Sequence, residues 1–572
     1  MQETGKKSRN RKNAGPVIAA LVLIVAASVV FLVQKYMPSG KMMDLTEYFG
    51  SLAENEVAVV LQDELADQRA ILDDGELYLN YEMVRDDLNS RFYWDEENQQ
   101  ILFTTALETY EIPLDSAEYT VDGKKQQYDH KIIIQNQGAM YMAIDFVQLY
   151  TNLDYTLDTE TSHVLIRYRW GTQTTASVKK SAAVRYQGGI KSPILTKLEA
   201  GDTVTVLEQL DDWDRVVTAD GYIGYIRTKR LEDVQETEVI RDFQEEEYTS
   251  VRKDGLVNLV WHNIGNMDSN TFLTQDTANM TGVNVISPTW FSLSDNEGNI
   301  TSLASKDYVK TAHAAGLDIW GLVDNFSADV DTTVLLASTD ARRKLIDNLV
   351  TQATDLGIEG INLDFEYLQE EDGYSYVQFV RELSVACRKN QLVFSIDVPV
   401  PMDFNSFFNR KELGTVADYL IIMGYDEHYA GSDAGSVASL NFEESGIQNT
   451  LAQGVPAEKI ISGVPFYTRI WYTTDDGTGN NVVSSEILGM TAVENTLESY
   501  SVTPVWNDHT QQDYAEWTVD DGTLCQIWIE NEASLEKKAQ LVPQYSLGGI
   551  AEWALGSEKD SVWSVLSDTI GG

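Results

Sequence analysis

From Leu256 onward, short apolar runs alternate with longer amphipathic stretches, and the alternation recurs eight times. The runs are Val257–His262, Val283–Trp290, Leu317–Val323, Gly360–Glu366, Val393–Pro399, Tyr419–Asp426, Lys459–Phe466 and Gly549–Leu555. Their near-continuous apolar character is that of strands buried on both faces, as in a parallel sheet covered by crossover helices. Helical periods fall between them, such as Ala304–Ala315 and Thr339–Leu356, where Leu345, Leu349 and Ala353 share one face. Eight such units predict an α/β fold, a closed parallel (β/α)8 or TIM barrel, over residues 253–572. The interval from Arg469 to Leu541 is too long for one crossover. It carries strand signals of its own at Glu516–Val519 and Leu524–Ile529, which predicts a small insertion before strand 8.

Barrels of this kind carry their chemistry at the C-terminal ends of the strands. Strand 4 ends Asn362-Leu363-Asp364-Phe365-Glu366. Residues two apart in a strand share a face, so with Leu363 and Phe365 toward the helices, an amide and two carboxylates aim into the barrel mouth. Strand 6 ends Met423-Gly424-Tyr425-Asp426, adding a phenol and a third carboxylate, and strand 8 ends Glu552-Trp553. Taken singly, each acid reads equally well as a satisfied buried carboxyl, and Trp553 as a core aromatic. The cluster is more informative, because like charges held together raise at least one pKa. A carboxylic acid that stays protonated near neutral pH can protonate a glycosidic oxygen, and an aromatic platform suits the apolar face of a sugar ring. The combination predicts glycoside hydrolysis.

Four motifs in order then give a resemblance to glycoside hydrolase family 18, the chitinase-like family, over about residues 255–565. The family signature D-G-x-D-x-D-x-E aligns with Glu359-Gly360-Ile361-Asn362-Leu363-Asp364-Phe365-Glu366. M-x-Y-D aligns with Met423 to Asp426, G-x-P-x-Y-x-R with Gly463 to Arg469, and the terminal Trp with Trp553. The resemblance implies that Glu366 is general acid and then base, and that Asp364 holds and polarises the substrate's N-acetyl group. That group, in place of an enzyme carboxylate, would be the nucleophile of a retaining reaction, with no metal and no cofactor called for. Tyr425 and Asp426 would orient the acetamido group and Trp553 would floor the sugar site. Asn362, Met423, Trp290, Tyr467 and Arg469 complete the expected substrate-binding set. Two positions depart from the signature. Glu359 replaces its first Asp at an expected buried position. Asn362 cannot share a proton with Asp364, and is expected to donate a hydrogen bond to it instead. Asn362 and the run Asp426-Glu427-His428-Tyr429 resemble the branch acting on bacterial peptidoglycan and spore cortex. For His428, lining the cleft and a structural role remain open.

The N-terminal half reads as an anchor followed by two small modules. Pro16 to Val33 is an unbroken apolar stretch just long enough to cross a bilayer, preceded by Lys6, Lys7, Arg9, Arg11 and Lys12. The expected arrangement is a cytoplasmic tail at 1–15, a single transmembrane helix at 16–34, and the rest of the chain outside the cytoplasm on a bacterial cell membrane. A cleaved signal peptide is the competing reading. Within 45–168 a pattern repeats at an offset of 63: Leu77-Tyr78-Leu79, Val84, Asp95 and Ile101-Leu102-Phe103 recur as Met140-Tyr141-Met142, Val147, Asp158 and Val164-Leu165-Ile166. This resembles the stalk-like module of copper amine oxidase N-termini, and reads as an α+β spacer or docking platform with His130 and His163 isolated. Residues 178–233, with the Gly201 turn, Trp213 and Gly221-Tyr222-Ile223-Gly224-Tyr225-Ile226, resemble a bacterial Src-homology-3-like barrel. Such a barrel either binds wall polymer or packs against a neighbour. An acidic linker is expected at 234–252, solvated at Glu245-Glu246-Glu247.

Charge narrows the partners. The chain has 42 Lys and Arg against 89 Asp and Glu, a formal net charge of −47, which excludes nucleic acid as the main ligand. Two cysteines, Cys387 and Cys525, exclude a disulfide scaffold. The leading expectation is a membrane-anchored hydrolase of N-acetylated polysaccharide, peptidoglycan first. A chitinase acting on external chitin and a catalytically weak glycan-binding wall protein are the alternatives.

Overall fold

The computed structural model describes residues 15–475 and 481–571, so the expected cytoplasmic tail lies, but for Gly15, outside the described residues. The described residues form two compact units.

The larger unit comprises Arg91–Pro113, Glu118–Gln127 and Glu246 onward. Its centre is the barrel, with strands β1 (Val257–His262), β2 (Val285–Leu293), β3 (Asp318–Asp324), β4 (Gly360–Asp364), β5 (Val393–Pro399), β6 (Tyr419–Met423), β7 (Ile460–Pro465) and β8 (Gly549–Trp553). Every neighbouring pair is parallel, and β1 pairs with both β2 and β8, which closes the sheet on itself. The expected fold class is thus observed. Period-2 alternation sorts the side chains. Leu259, Trp261, Val285, Leu322, Ile421 and Ala551 fill the interior. Val260, Ile286, Leu363, Ile396, Ile422 and Ile550 face outward and pack on the helices. The helix Thr339–Leu356 shows why its boundaries were readable: Ser338 caps its first turn, and Gly357, at φ 70°, ends it in a left-handed conformation. Its buried Arg342 clasps Glu382 of the helix Gly373–Lys389 through two 3.0 Å contacts.

The insertion before β8 is larger than its two strand signals implied. Tyr467–Asp475, Asn481–Gly489, Val505–Asn507, Gln512–Thr518 and Leu524–Ile529 form a five-stranded antiparallel sheet, covered by the helix Met490–Tyr500.

A second five-stranded sheet, running from Tyr93–Asp95 to Lys124–Gln127, corrects the spacer reading. It contains the second hairpin of the first 63-residue repeat, yet it packs on barrel helices. Thr339 donates to Asp95 at 2.8 Å, Arg343 reaches Glu111 at 2.6 Å, and Tyr93 stacks on Tyr374 with centroids 4.6 Å apart. The strand Gln100–Thr104 is buried along its whole length, and such a strand needs cover on both faces. Glu246 is not simply solvated either: it accepts from the Ala106 amide and the Tyr248 hydroxyl.

The smaller unit joins the remaining part of the repeat module to the small barrel. Phe49, Ala58, Val60 and Leu165 share one apolar cluster with Leu195, Val217 and Tyr222, so the small barrel packs against its neighbour. Its sheet runs from Gly171–Val178 to Leu231–Val239, which pair with each other, so it extends beyond 178–233 at both ends. His163 is buried, stacked on Phe49 at 4.8 Å and bonded to the Asp220 carbonyl. His130 is not isolated: it lies 3.3 Å from Asp145, with Glu76 nearby, while Asp145 also accepts from Tyr128. Gly15–Tyr36 is a helix, of which Val17–Tyr36 is long and apolar enough to cross a membrane.

One buried ionic cluster ties the insertion to the barrel. Lys538 lies 2.6 Å from Glu530 and 3.0 Å from Glu443, all three without solvent access. Replacing Lys538 with Met leaves buried Glu530 and Glu443 without their shared cation. The expected loss is about 3–5 kcal/mol of stability in a denaturant titration, and an unchanged midpoint would contradict this account of the cluster.

Candidate active site

A cleft of about 250 Å³ opens at the C-terminal ends of the strands. It is lined by Trp261, Phe326, Asp364, Glu366, Asp397, Met423, Tyr425, Asp426, Tyr467, Ile487, Trp553 and Ser557. Seven of the ten expected site residues are in that set: Asp364, Glu366, Met423, Tyr425, Asp426, Tyr467 and Trp553. A groove of about 480 Å³ shares Glu366, Met423, Tyr425 and Asp426 with it, and carries the exposed Met402, Phe404 and Tyr429.

Backbone placement explains the gathering. Asp364 is the last residue of β4 and faces inward. The strand ends there, so Glu366 stands on the loop beyond, where Asn325 holds it. The Asn325 side-chain oxygen accepts from the amides of Glu366, at 3.0 Å, and Tyr367, at 3.3 Å. Its amide group donates to Thr332 and to the Tyr367 carbonyl, both at 3.2 Å. Asp324 ends β3, accepting from Ser292 at 2.8 Å and from the Phe326 amide at 3.0 Å. Beyond β6, Gly424 has no room for a side chain: a Cβ would lie 2.7 Å from the Gly463 carbonyl and 2.8 Å from Glu443. Glu443, lifted to about 8 by burial against the opposing pull of Lys538, therefore backs the loop that presents Tyr425 and Asp426. Tyr467, the first residue of the insertion, donates to Asp426 at 2.7 Å. Trp261 meets Trp553 and Tyr425 edge-on, with centroids 6.0 and 6.4 Å away.

The electrostatics are those of crowded acids. Burial, and then the charges of Asp397, Glu366 and Asp324, hold Asp364 well above the usual carboxylate range. Glu366 keeps a path to solvent through the cleft, yet the protein packed around it raises it, with Asp426 and Asp324 adding to the effect. Asp397 is pushed up mainly by burial. Such a site keeps protons on carboxyl groups where isolated ones have lost them.

Three expected residues fall elsewhere. Trp290 shares the parity of Ile286, the helix-facing side of β2, and is buried there, donating to Asn270 at 2.9 Å. Arg469 is not among the residues that line the cleft; it donates to Ser485 at 3.0 Å. Asn362 is fully buried inside the barrel beneath the cleft. It donates to Asp397 at 2.8 Å, not to Asp364. Glu359 is only half-buried, at the opposite end of β4, where it accepts from the Ile319 amide at 2.9 Å and lies 3.2 Å from His313. His428 bonds to the Asp433 carbonyl at 3.0 Å and does not line the cleft. Asp397, Trp261, Asp324 and Asn325 went unrecognised in the sequence. A lone Asp in the apolar run Val393–Pro399 was the one readable signal for Asp397.

The fold and this carboxylate set define the class: a (β/α)8 glycoside hydrolase. Residues 320–558 match Glycosyl hydrolases family 18, residues 59–166 the Copper amine oxidase N-terminal domain, and residues 180–232 the Bacterial SH3 domain. The barrel is a glycosyl hydrolase family 18 domain. The chain is 27% identical over 299 residues to the uncharacterized glycosylase YvbX of Bacillus subtilis, covering 50% of this chain and 84% of that protein. It is 25% identical over 243 residues to a cortical fragment-lytic enzyme of Bacillus subtilis, covering 41% of this chain and only 55% of that relative. The chitinase structure from Chromobacterium violaceum superposes with a TM-score of 0.50 at 25% identity, covering 56% of this chain and all of that one.

Replacing Asp426 with Asn keeps an acceptor for Tyr467 but removes a charge that raises Glu366. The Glu366 acid then ionises at lower pH, so the alkaline limb of the activity profile is expected to move to lower pH. An unmoved limb would contradict this coupling.

Proposed function

We propose that this protein hydrolyses β-1,4 bonds of N-acetylglucosamine-containing glycans outside the cytoplasm, with peptidoglycan as its substrate. The observation that carries the reading is the convergence of Asp364, Glu366, Tyr425 and Asp426 on one cleft beside Trp261 and Trp553. Glu366, whose acid is raised by the protein packed around it and by Asp426 and Asp324, gives a proton to the leaving glycosidic oxygen. The substrate's acetamido oxygen attacks the anomeric carbon from the other face, and Asp364 accepts the acetamido N–H and stabilises the positive charge of the resulting oxazolinium. Glu366, now a carboxylate, takes a proton from the water that opens that ring, so the configuration is retained. Tyr425 and Asp426 orient the acetamido group, and Trp553 carries the sugar face.

Three features favour peptidoglycan over chitin: a relative named as a cortical fragment-lytic enzyme, the bacterial SH3 match, and Asn362 in the strand-4 signature. The helix Val17–Tyr36 supports a single-pass anchor with the barrel outside the cytoplasm.

The test is release of reducing ends from purified sacculi and from colloidal chitin. Wild-type protein is expected to act on sacculi, and Glu366→Gln to lower kcat by about 100-fold or more. Turnover of chitin alone would replace the substrate, and binding without turnover on either would sink the catalytic reading.

A further inference from the structure

Inside the barrel, three side-chain hydrogen bonds hold Asn362. Its oxygen accepts from the Trp261 indole and from the Ser287 hydroxyl, each at 2.9 Å, and its amide donates to Asp397 at 2.8 Å. All four residues are buried. The polarity of the amide is thereby fixed: two donors face its oxygen, so its NH2 must face an acceptor.

That acceptor stands next to Asp364. β4 and β5 are parallel with Asn362 beside Ser395 and Leu363 beside Ile396, so continuing the register sets Asp364 beside Asp397. Both line the cleft. Among the described residues no ion pair to Lys or Arg reaches either one, and one Asp364 oxygen is buried without a hydrogen-bond partner. Two adjacent carboxyls, enclosed and without a cation, cannot both ionise. The other titratable groups facing them are Asp324 at the end of β3, Glu366 after β4, Tyr376 on the helix behind, and Tyr425 after β6.

We propose that Asp397 is a positioning residue that shares one proton with Asp364, doing from β5 what an Asp at position 362 would do from β4. The inference rests on the hydrolytic reading above. In the resting site the pair holds one proton and one negative charge. When the acetamido N–H arrives, the proton passes from Asp364 to Asp397, and the Asp364 carboxylate accepts that N–H and faces the oxazolinium. After hydrolysis the proton returns, with no net gain or loss. Asn362 keeps Asp397 in place from beneath.

The test is a carboxyl-to-amide exchange between the two strands. Asp397→Asn keeps the shape and still accepts from Asn362 but holds no proton. Its kcat is expected to fall by about tenfold or more with KM within about twofold. The acid limb is expected to move to lower pH, since Asp364 loses the neighbouring charge that raises it. Asn362→Asp alone sets a carboxylate against Asp397 and is expected to be impaired. The double variant Asn362→Asp/Asp397→Asn, which restores one carboxyl and one amide with the same hydrogen bonds, should recover activity above either single variant. Wild-type kcat and pH profile in Asp397→Asn, or a double variant no better than the worse single one, would overturn the proposal while leaving the hydrolytic reading intact. Infrared difference spectra at neutral pH supply a readout without substrate: wild type minus Asp397→Asn should show a protonated carboxyl band. Should wild type turn over neither glycan, the hydrolytic reading fails, and the presence or absence of that band still decides for or against the shared proton.

Discussion

A primary amide in a dry interior has one end that only accepts and one that only donates, and leaving either unpaired is costly. Asn362 meets that constraint by linking four strands of the barrel. Trp261 comes from β1, Ser287 from β2 and Asp397 from β5, while Asn362 itself belongs to β4. A fully satisfied buried network is rigid and specific about its members, and one replaced group disturbs all the others. Asp364, two residues further along the same face of β4, is therefore set on a platform whose hydrogen bonds are already assigned. A carboxylate in place of Asn362 would suit Trp261 and Ser287 but would confront Asp397. Position 362 and position 397 are thus one choice made twice, and the amide on one strand goes with the acid on the other.

Above that platform the architecture concentrates like charge. Asp364, Glu366, Asp397 and Asp426 line one cleft, with Asp324 close behind. The cationic partners that elsewhere relieve buried acids are kept one layer away. Lys538 serves Glu443 and Glu530, and Arg342 serves Glu382. The supporting layer is neutralised, while the cleft keeps Asp364, Glu366 and Asp397 raised above the usual carboxylate range. This division suits a site built for proton transfer, since a cation within the cleft would pull the carboxyls toward permanent ionisation.

The barrel and its catalytic strand ends were legible in the sequence because both depend on period-2 alternation, which is local. Leu363 and Phe365 against Asn362, Asp364 and Glu366 follow from that rule, and β1, β5 and the helix Thr339–Leu356 appear with the expected bounds. Trp290 was placed wrongly because nearness to a strand end was read without its parity with Ile286. Asp397 and Trp261 were passed over since each is a single residue in an apolar run, and its meaning depends on which strand lies beside it. Asn325 acts through the backbone of Glu366, a contact across 41 residues of sequence with no periodic trace. The second hairpin of the first repeat is a similar case: its self-similarity to the other copy is real, yet its packing is set by helices more than 200 residues downstream.

The division between strand-borne and insertion-borne residues has a consequence for substrate choice. The acids sit on the barrel strands and the short loops beyond them, whereas Tyr467 and Ile487, which wall the cleft, belong to the insertion. Tyr467 also bonds to Asp426, so the insertion touches the chemistry as well as the wall. Phe404 and Tyr429 are largely exposed along the adjoining groove, where flat apolar surfaces are available to several ring faces in succession. On the proposed reading, the strands determine that a bond beside an N-acetyl group is cut, and the insertion and groove determine which polymer brings it there. Asn362 itself is buried beneath the cleft and bonds to Trp261, Ser287 and Asp397 on barrel strands, so on that reading polymer preference can change through the insertion while the Asn362 hydrogen bonds stay on the barrel.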